Sequence, residues 1–149
     1  MKKIILFFAL FCAFFTNDAQ AQSNPTARIA EVQNGNVVIV AAPSVLVACF
    51  TQFELFATSN PNTFELWTDA ENQYYLTAKG QIDGKATIIK VNLEMRAGGY
   101  HTPFSPQGES CTGVNCAQCK FAKTGGCECR KDGDIFAGVG YCNHNITKP

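Results

Sequence analysis

Histidine is scarce in this chain and charge is thin. Of its 149 residues two are histidine, His101 and His144, and 16% are charged. The two histidines lie on different segments, so each reads as a solvated loop side chain rather than as part of a paired base or ligand set. No long basic patch is present, nor any interleaving of basic with aromatic residues, which argues against a nucleic-acid partner. Beyond the first 21 residues no apolar run approaches the roughly 20 residues a membrane-spanning helix needs. After Cys111 apolar periodicity all but disappears. Up to Cys142, Val114, Phe121, Ile135, Phe136, Val139 and Tyr141 are the large apolar side chains there. A stretch with so little to bury needs crosslinks or metal to hold one shape.

What the chain has in place of these is cysteine. Six of its eight cysteines fall in CTGVNCAQCKFAKTGGCECRKDGDIFAGVGYC, between Cys111 and Cys142, with the spacing C-x4-C-x2-C-x7-C-x-C-x12-C. Whether such thiols crosslink or hold a metal depends on the compartment. The first 21 residues speak for export. Lys2 and Lys3 precede the uncharged apolar run Ile4 to Phe15, and Ala19-Gln20-Ala21 places small residues at −3 and −1 of a signal peptidase site. Bulky Phe11 before Cys12 argues against a lipoprotein site, so Cys12 belongs to the discarded leader. Cleavage removes Lys2, Lys3 and Asp18, leaving 10 Lys and Arg against 11 Asp and Glu from the 12 of each in the whole chain.

From Gln22 onward QSNPT is polar. Ala27 to Gln33 and Asn36 to Ala42 flank Asn34-Gly35, a type I′ hairpin signal, and the continuous VVIVAA arm predicts burial on both faces. Pro43 ends the strand and Ser44 is placed to cap a helix to about Thr58. That helix has Leu46, Cys49, Phe50, Phe53, Phe56 and Ala57 on one stripe. Alternation fits nearly as well, and length favours the helix. Ser59-Asn60-Pro61-Asn62 is a loop signal. Three strands are predicted next: Thr63 to Thr68, Gln73 to Lys79, and Lys85 to Met95 after Gly80 and Asp83-Gly84. In the last, Thr87, Ile89, Val91, Leu93 and Met95 share the core face, while Lys90, Asn92 and Glu94 face water. The expected fold class is α+β: a small antiparallel sheet in the order β-β-α-β-β-β over residues 22–96, with the one helix on its apolar face. Residues 97–110, with two Pro and three Gly, read as a linker. Residues 111–149 form a cysteine-rich, loop-dominated module.

In an oxidising compartment Cys111, Cys116, Cys119, Cys127, Cys129 and Cys142 pair as three disulfides, with 15 connectivities open. Cys127 and Cys129 are too close along the chain to pair with each other, and Cys116 with Cys119 is a candidate local bridge. The alternative is metal. Cys111, Cys116 and Cys119 reproduce the C-x4-C-x2-C spacing of plant-type iron–sulfur ferredoxins, with Cys142 a candidate fourth ligand. Zinc would take Cys116, Cys119, Cys127 and Cys129, with His144 nearby. A thiol redox reading of Cys116-Ala117-Gln118-Cys119 lacks the strand-to-helix setting of thioredoxin-type sites.

Other signals are weaker. Cys49, on the apolar stripe and outside the cluster, reads as a buried thiol acting as a small hydrophobe. Glu65, Asp69 and Glu71 form a solvated turn without EF-hand spacing. Trp67, Tyr74 and Tyr75 offer an aromatic face or plain cross-strand pairs. Asn145-Ile146-Thr147 fits a glycosylation sequon, of little weight behind a bacterial leader. The run CTGVNCAQCKFAKTGGCECRKDG…GVGYCNHNIT, behind YYLTAKGQIDGK, resembles a group of short exported Bacteroidetes proteins. The resemblance covers the C-terminal 40 residues well and the preceding strands loosely. It implies bacterial export and this domain layout, and carries no activity or ligand. The expectation is therefore a non-enzymatic, exported, disulfide-held protein that binds a protein, a surface or a small ligand in the periplasm or outside the cell. A metal-binding or redox module is the alternative, and a hydrolase ranks last.

Overall fold

The computed structural model describes residues 26–51, 61, 63–103, 106–130 and 140–147. The expected leader, residues 52–58 of the expected helix, and Ile135, Phe136 and Val139 lie outside the described residues. Within them the chain is mostly antiparallel sheet with one short helix and a cysteine-rich C-terminal region.

Strands β1 (Arg28–Gln33) and β2 (Asn36–Ile39) form the hairpin that Asn-Gly announces. Asn34 and Gly35 have φ of 51° and 79°, the left-handed pair a type I′ turn requires. VVIVAA is not buried on both faces. β2 is the edge of its sheet, Val37 to Ile39 are half-buried and Val40 is exposed. Helix α1 (Pro43–Thr51) starts two residues earlier than Ser44 capping implies, with Ala42 at the cap. The Ala42 carbonyl accepts from both the Val45 and Leu46 amides, and Pro43 occupies the first turn, where its missing N–H costs nothing. Leu46, Cys49 and Phe50 point into the core as the stripe predicted. Each large apolar side chain fully buried there contributes about 1.5–3 kcal/mol.

Strands β3 (Thr63–Thr68), β4 (Tyr74–Ile82) and β5 (Lys85–Asn92) are a meander. Asp69 closes its first turn by accepting from the Glu71 and Gln73 amides, both at 2.9 Å. Asp83 and Gly84, with φ of 51° and 72°, close the second, while Gly80 lies within β4 opposite Thr87. The strand expected to run on to Met95 breaks at Leu93. That residue is fully buried, and its amide donates to the Tyr74 carbonyl at 3.0 Å. The chain there crosses into a second sheet as β6 (Glu94–Arg96), and Met95 becomes 58% exposed instead of facing the core.

The stretch read as a linker, 97–110, is not one. It holds β7 (Gly99–His101), which pairs β6 and β1, and the start of β8 (Gly108–Val114). Gly99 is required there. It has φ of 141°, and any Cβ would collide with the Ala30 carbonyl oxygen. β8 pairs β5 along Thr87–Val91, and β11 (Tyr141–Thr147) pairs β8, so the cysteine-rich segment supplies two strands of the five-stranded sheet β11-β8-β5-β4-β3. It is strand-built rather than loop-dominated. Strands β9 (Gln118–Phe121) and β10 (Cys127–Arg130) form a separate hairpin.

The five-stranded sheet is covered on both sides. On one side Leu76, Ala78, Ile89, Val91 and Leu93 pack with Ile29, Leu46, Cys49 and Phe50 from β1 and α1. On the other, Ile88 packs with Cys111, Cys119 and Phe121, with Trp67, Cys116, Cys127 and Cys142 around them. That second core gives the cysteine-rich segment its apolar interior.

Candidate functional site

Three disulfides hold the β9–β10 hairpin, two of them to sheet strands and one to the β8–β9 connection: Cys111–Cys127, Cys119–Cys142 and Cys116–Cys129. The local Cys116–Cys119 bridge considered from the sequence is not formed. The hairpin register explains this. Cys119 stands directly across from Cys129 and Phe121 from Cys127, so all four side chains share the hairpin face that meets the sheet. Each bond then runs outward: Cys127 to β8, Cys129 to the β8–β9 connection and Cys119 to β11. Close approach is needed where β8 passes the connection, since a Cβ on Gly113 would lie 2.7 Å from the Cys116 carbonyl oxygen.

Beneath the hairpin lies a buried lysine. Lys90, expected on the wet face, has a side chain only 6% exposed. Its ammonium stands 4.4 Å from the Tyr75 ring centroid and 4.8 Å from those of Trp67 and Phe121. Three ring faces turn their negative quadrupole toward one cation. Glu109, directly across from Lys90 in β8, completes the neutralisation at 3.2 Å. The second Glu109 oxygen accepts from His144 Nε2 at 2.9 Å. Period-two alternation put Lys90 outside because nothing local reveals that a later hairpin covers that face. Lys90, Glu109 and Phe121 are the residues that sequence reasoning did not single out, and the pairing of β5 with β8 is what assembles them.

The other singled-out residues disperse. Trp67 and Tyr75 face each other at 5.4 Å on the hairpin side, whereas Tyr74 is on the other side of the sheet, 4.6 Å from Tyr100. Glu65 pairs with Lys79 at 2.8 Å, away from the Asp69 turn. Desolvation raises the Asp69 carboxyl, but the Gln73 amide, the Tyr75 hydroxyl and the Glu71 amide outweigh it, and its pKa lies below the usual 3.8. Tyr75 moves the other way, to about 12, by desolvation and by its hydrogen bond to Asp69. His101 is half-buried on β7 rather than solvated. Its Nδ1 donates to the Thr26 carbonyl at 3.0 Å, and Nε2 is buried with no partner among the described residues. Asn145 lies in β11 opposite Ser110, not in a loop. Cys49 is buried in the first core, outside all three bridges, and burial pushes its thiol up to about 11. A thiol so rarely ionised is a poor nucleophile.

For metal, the described sulfurs that come together are Cys116, Cys129 and Cys142, all within 4.8 Å of one another. The ferredoxin-type set is not gathered with them, because Cys111 is bonded to Cys127. His144 is engaged by Glu109 instead of joining the sulfurs.

Between hairpin and sheet runs a cleft of about 630 Å³. Its sheet wall carries Glu65, Trp67, Thr77 and Lys79, and its hairpin wall carries Lys120, Phe121, Lys123, Glu128 and Arg130. The volume falls within the roughly 300–1,000 Å³ range of ligand sites. No protein-family model, curated protein or solved structure matches the chain. No helix among the described residues is long and apolar enough to cross a membrane.

Proposed function

We propose that this chain is an exported, non-enzymatic binding protein of bacterial type that works in the periplasm or outside the cell and holds its ligand in the cleft between hairpin and sheet. The observation that carries the reading is the fastening of one cleft wall. Three disulfides hold the β9–β10 hairpin, two of them to sheet strands, so that wall is set before a ligand arrives and little ordering cost falls on binding. The groups lining the cleft suit recognition. They are rings, ammonium and guanidinium groups and carboxylates; among the described residues no serine or histidine lines the cleft, and its one cysteine, Cys119, is bonded to Cys142. A screen of oxidised protein against peptides, neutral polysaccharides and acidic polysaccharides tests it, read by the emission of Trp67, the chain's one tryptophan. A saturable response from at least one class, with the ligand recovered unchanged by mass, upholds the reading. No response from any class, or a cleaved ligand, overturns it.

A second reading keeps the cysteine cluster as a metal or thiol redox module. It draws on the Cys116, Cys129 and Cys142 sulfurs, with Cys142 Sγ only 3.7 Å from Cys116 Sγ of a different bridge. Zinc bound by four thiolates at about 2.3 Å sets its ligand sulfurs about that far apart. Stoichiometric zinc or iron in protein purified from its native compartment would favour this reading. A metal-free protein whose mass is six hydrogens below that of the reduced chain would end it.

A further inference from the structure

The cleft walls are not neutral, and their charges are arranged in a way that selects among ligands. Of the six charged side chains lining the cleft, Lys79, Lys120, Lys123 and Arg130 are cations and Glu65 and Glu128 are carboxylates. Glu65 is consumed by Lys79, at 2.8 and 2.9 Å to its two oxygens. The hairpin wall is left with three cations facing one carboxylate. Lys123 and Arg130 are exposed and Lys120 is half-exposed, so their charge is not spent on the core. A chain whose mature form has a slight excess of acid thus gathers positive charge on one wall.

Resting on the reading of the cleft as a ligand site, we propose that its ligand is an acidic polysaccharide, a strand of sugar rings carrying spaced carboxylates. Three features of the cleft favour this chemistry. Arg130 presents a planar fork that fits a carboxylate with two parallel hydrogen bonds, and Lys120 and Lys123 supply further charge for neighbouring residues of the strand. Trp67, half-buried, lines the same cleft, and a ring face of negative quadrupole attracts the C–H face of a sugar. Glu128 opposes a continuous polyphosphate, yet accepts hydrogen bonds from hydroxyls, which a sugar strand supplies at every ring. A nucleic acid has the charge but would press phosphates against Glu128. A neutral glucan has the hydroxyls and gives the three cations nothing.

The test uses the oxidised, leaderless chain and follows Trp67 emission during titration with polygalacturonate fragments. The same fragments with their carboxyls methyl-esterified, dextran, and single-stranded DNA of equal charge serve as comparisons. Polygalacturonate is expected to bind saturably, at least 10-fold tighter than the esterified fragments or DNA, and to weaken as salt rises. Lys123→Glu/Arg130→Glu, both at exposed positions, is expected to lose at least 10-fold in affinity with its three disulfides and thermal midpoint intact. Equal binding of the esterified fragments overturns the proposal, as does DNA binding as tightly, an unaffected double variant, or no response to polygalacturonate. A Trp67 response to dextran or to a peptide alone would sink the acidic-polysaccharide assignment while leaving the binding reading standing.

Discussion

A lysine held under three aromatic rings has no water to return to if its partners are removed. Lys90→Ala leaves Glu109 short of its buried counter-ion and opens a gap beneath Trp67, Tyr75 and Phe121. The expected cost is about 3–5 kcal/mol, with Lys90→Met, which refills the volume, losing roughly half of that. Urea unfolding midpoints of the two variants check the order. Asp69 gives the molecule an acid dependence. Its carboxyl ionises more readily folded than unfolded, so it contributes stability above the ordinary value of 3.8 that is lost as pH falls through the lower folded value. Asp69→Asn is expected to lower the melting temperature at neutral pH, and the gap to the parent should narrow as pH falls below 3.8. Thermal scans across that interval measure it. Cys49 is the third residue-scale case. At pH 8 the folded, leaderless chain should take up no iodoacetamide, and one equivalent once urea exposes the thiol, whose burial holds it near 11.

At the scale of elements the decisive unit is the β9–β10 hairpin. Deleting its longest-range tie with Cys119→Ser/Cys142→Ser should cost about 3 kcal/mol in thermal or urea unfolding, the loop-closure entropy for a separation of 23 residues. Gly113→Ala should cost about 1–3 kcal/mol by the same measures, because its methyl meets the Cys116 carbonyl with no room to shift. Short-range chemistry was readable in the letters. Asn34-Gly35 and Asp83-Gly84 specify their turns through φ alone, and Leu46, Cys49 and Phe50 mark the helix face by spacing. What needs a partner from elsewhere was not. CTGV carries no apolar alternation, yet it runs in β8 because β5 and β11 offer ladder bonds on both sides. The break at Leu93 is equally silent, since only the Tyr74 carbonyl and the pairing of β6 with β7 bring it about. Of the site, the six cysteines that hold the hairpin stood out, whereas nothing in the letters marked Lys120, Lys123 and Arg130 as lining a cleft.

Across the whole molecule the two cores differ in what sustains them. One is aliphatic and aromatic, built from β1, α1 and the sheet; the other is half sulfur. A strong reductant should therefore loosen the molecule unevenly. Amide exchange is expected to rise first in β9, β10 and β11, with Ile29, Leu76 and Val91 protected longest; uniform loss would show that the cores are one cooperative unit. The strand order has a further consequence, in time rather than in space. β8 sits between β5 and β11, so a chain emerging amino end first must hold an unfinished sheet, one flank of β8 bare, until β11 arrives. A nascent chain short of Tyr141 has neither the closing strand nor the thiol that Cys119 awaits, and the outer flank of β8 keeps its ladder groups unpaired for as long as that lasts.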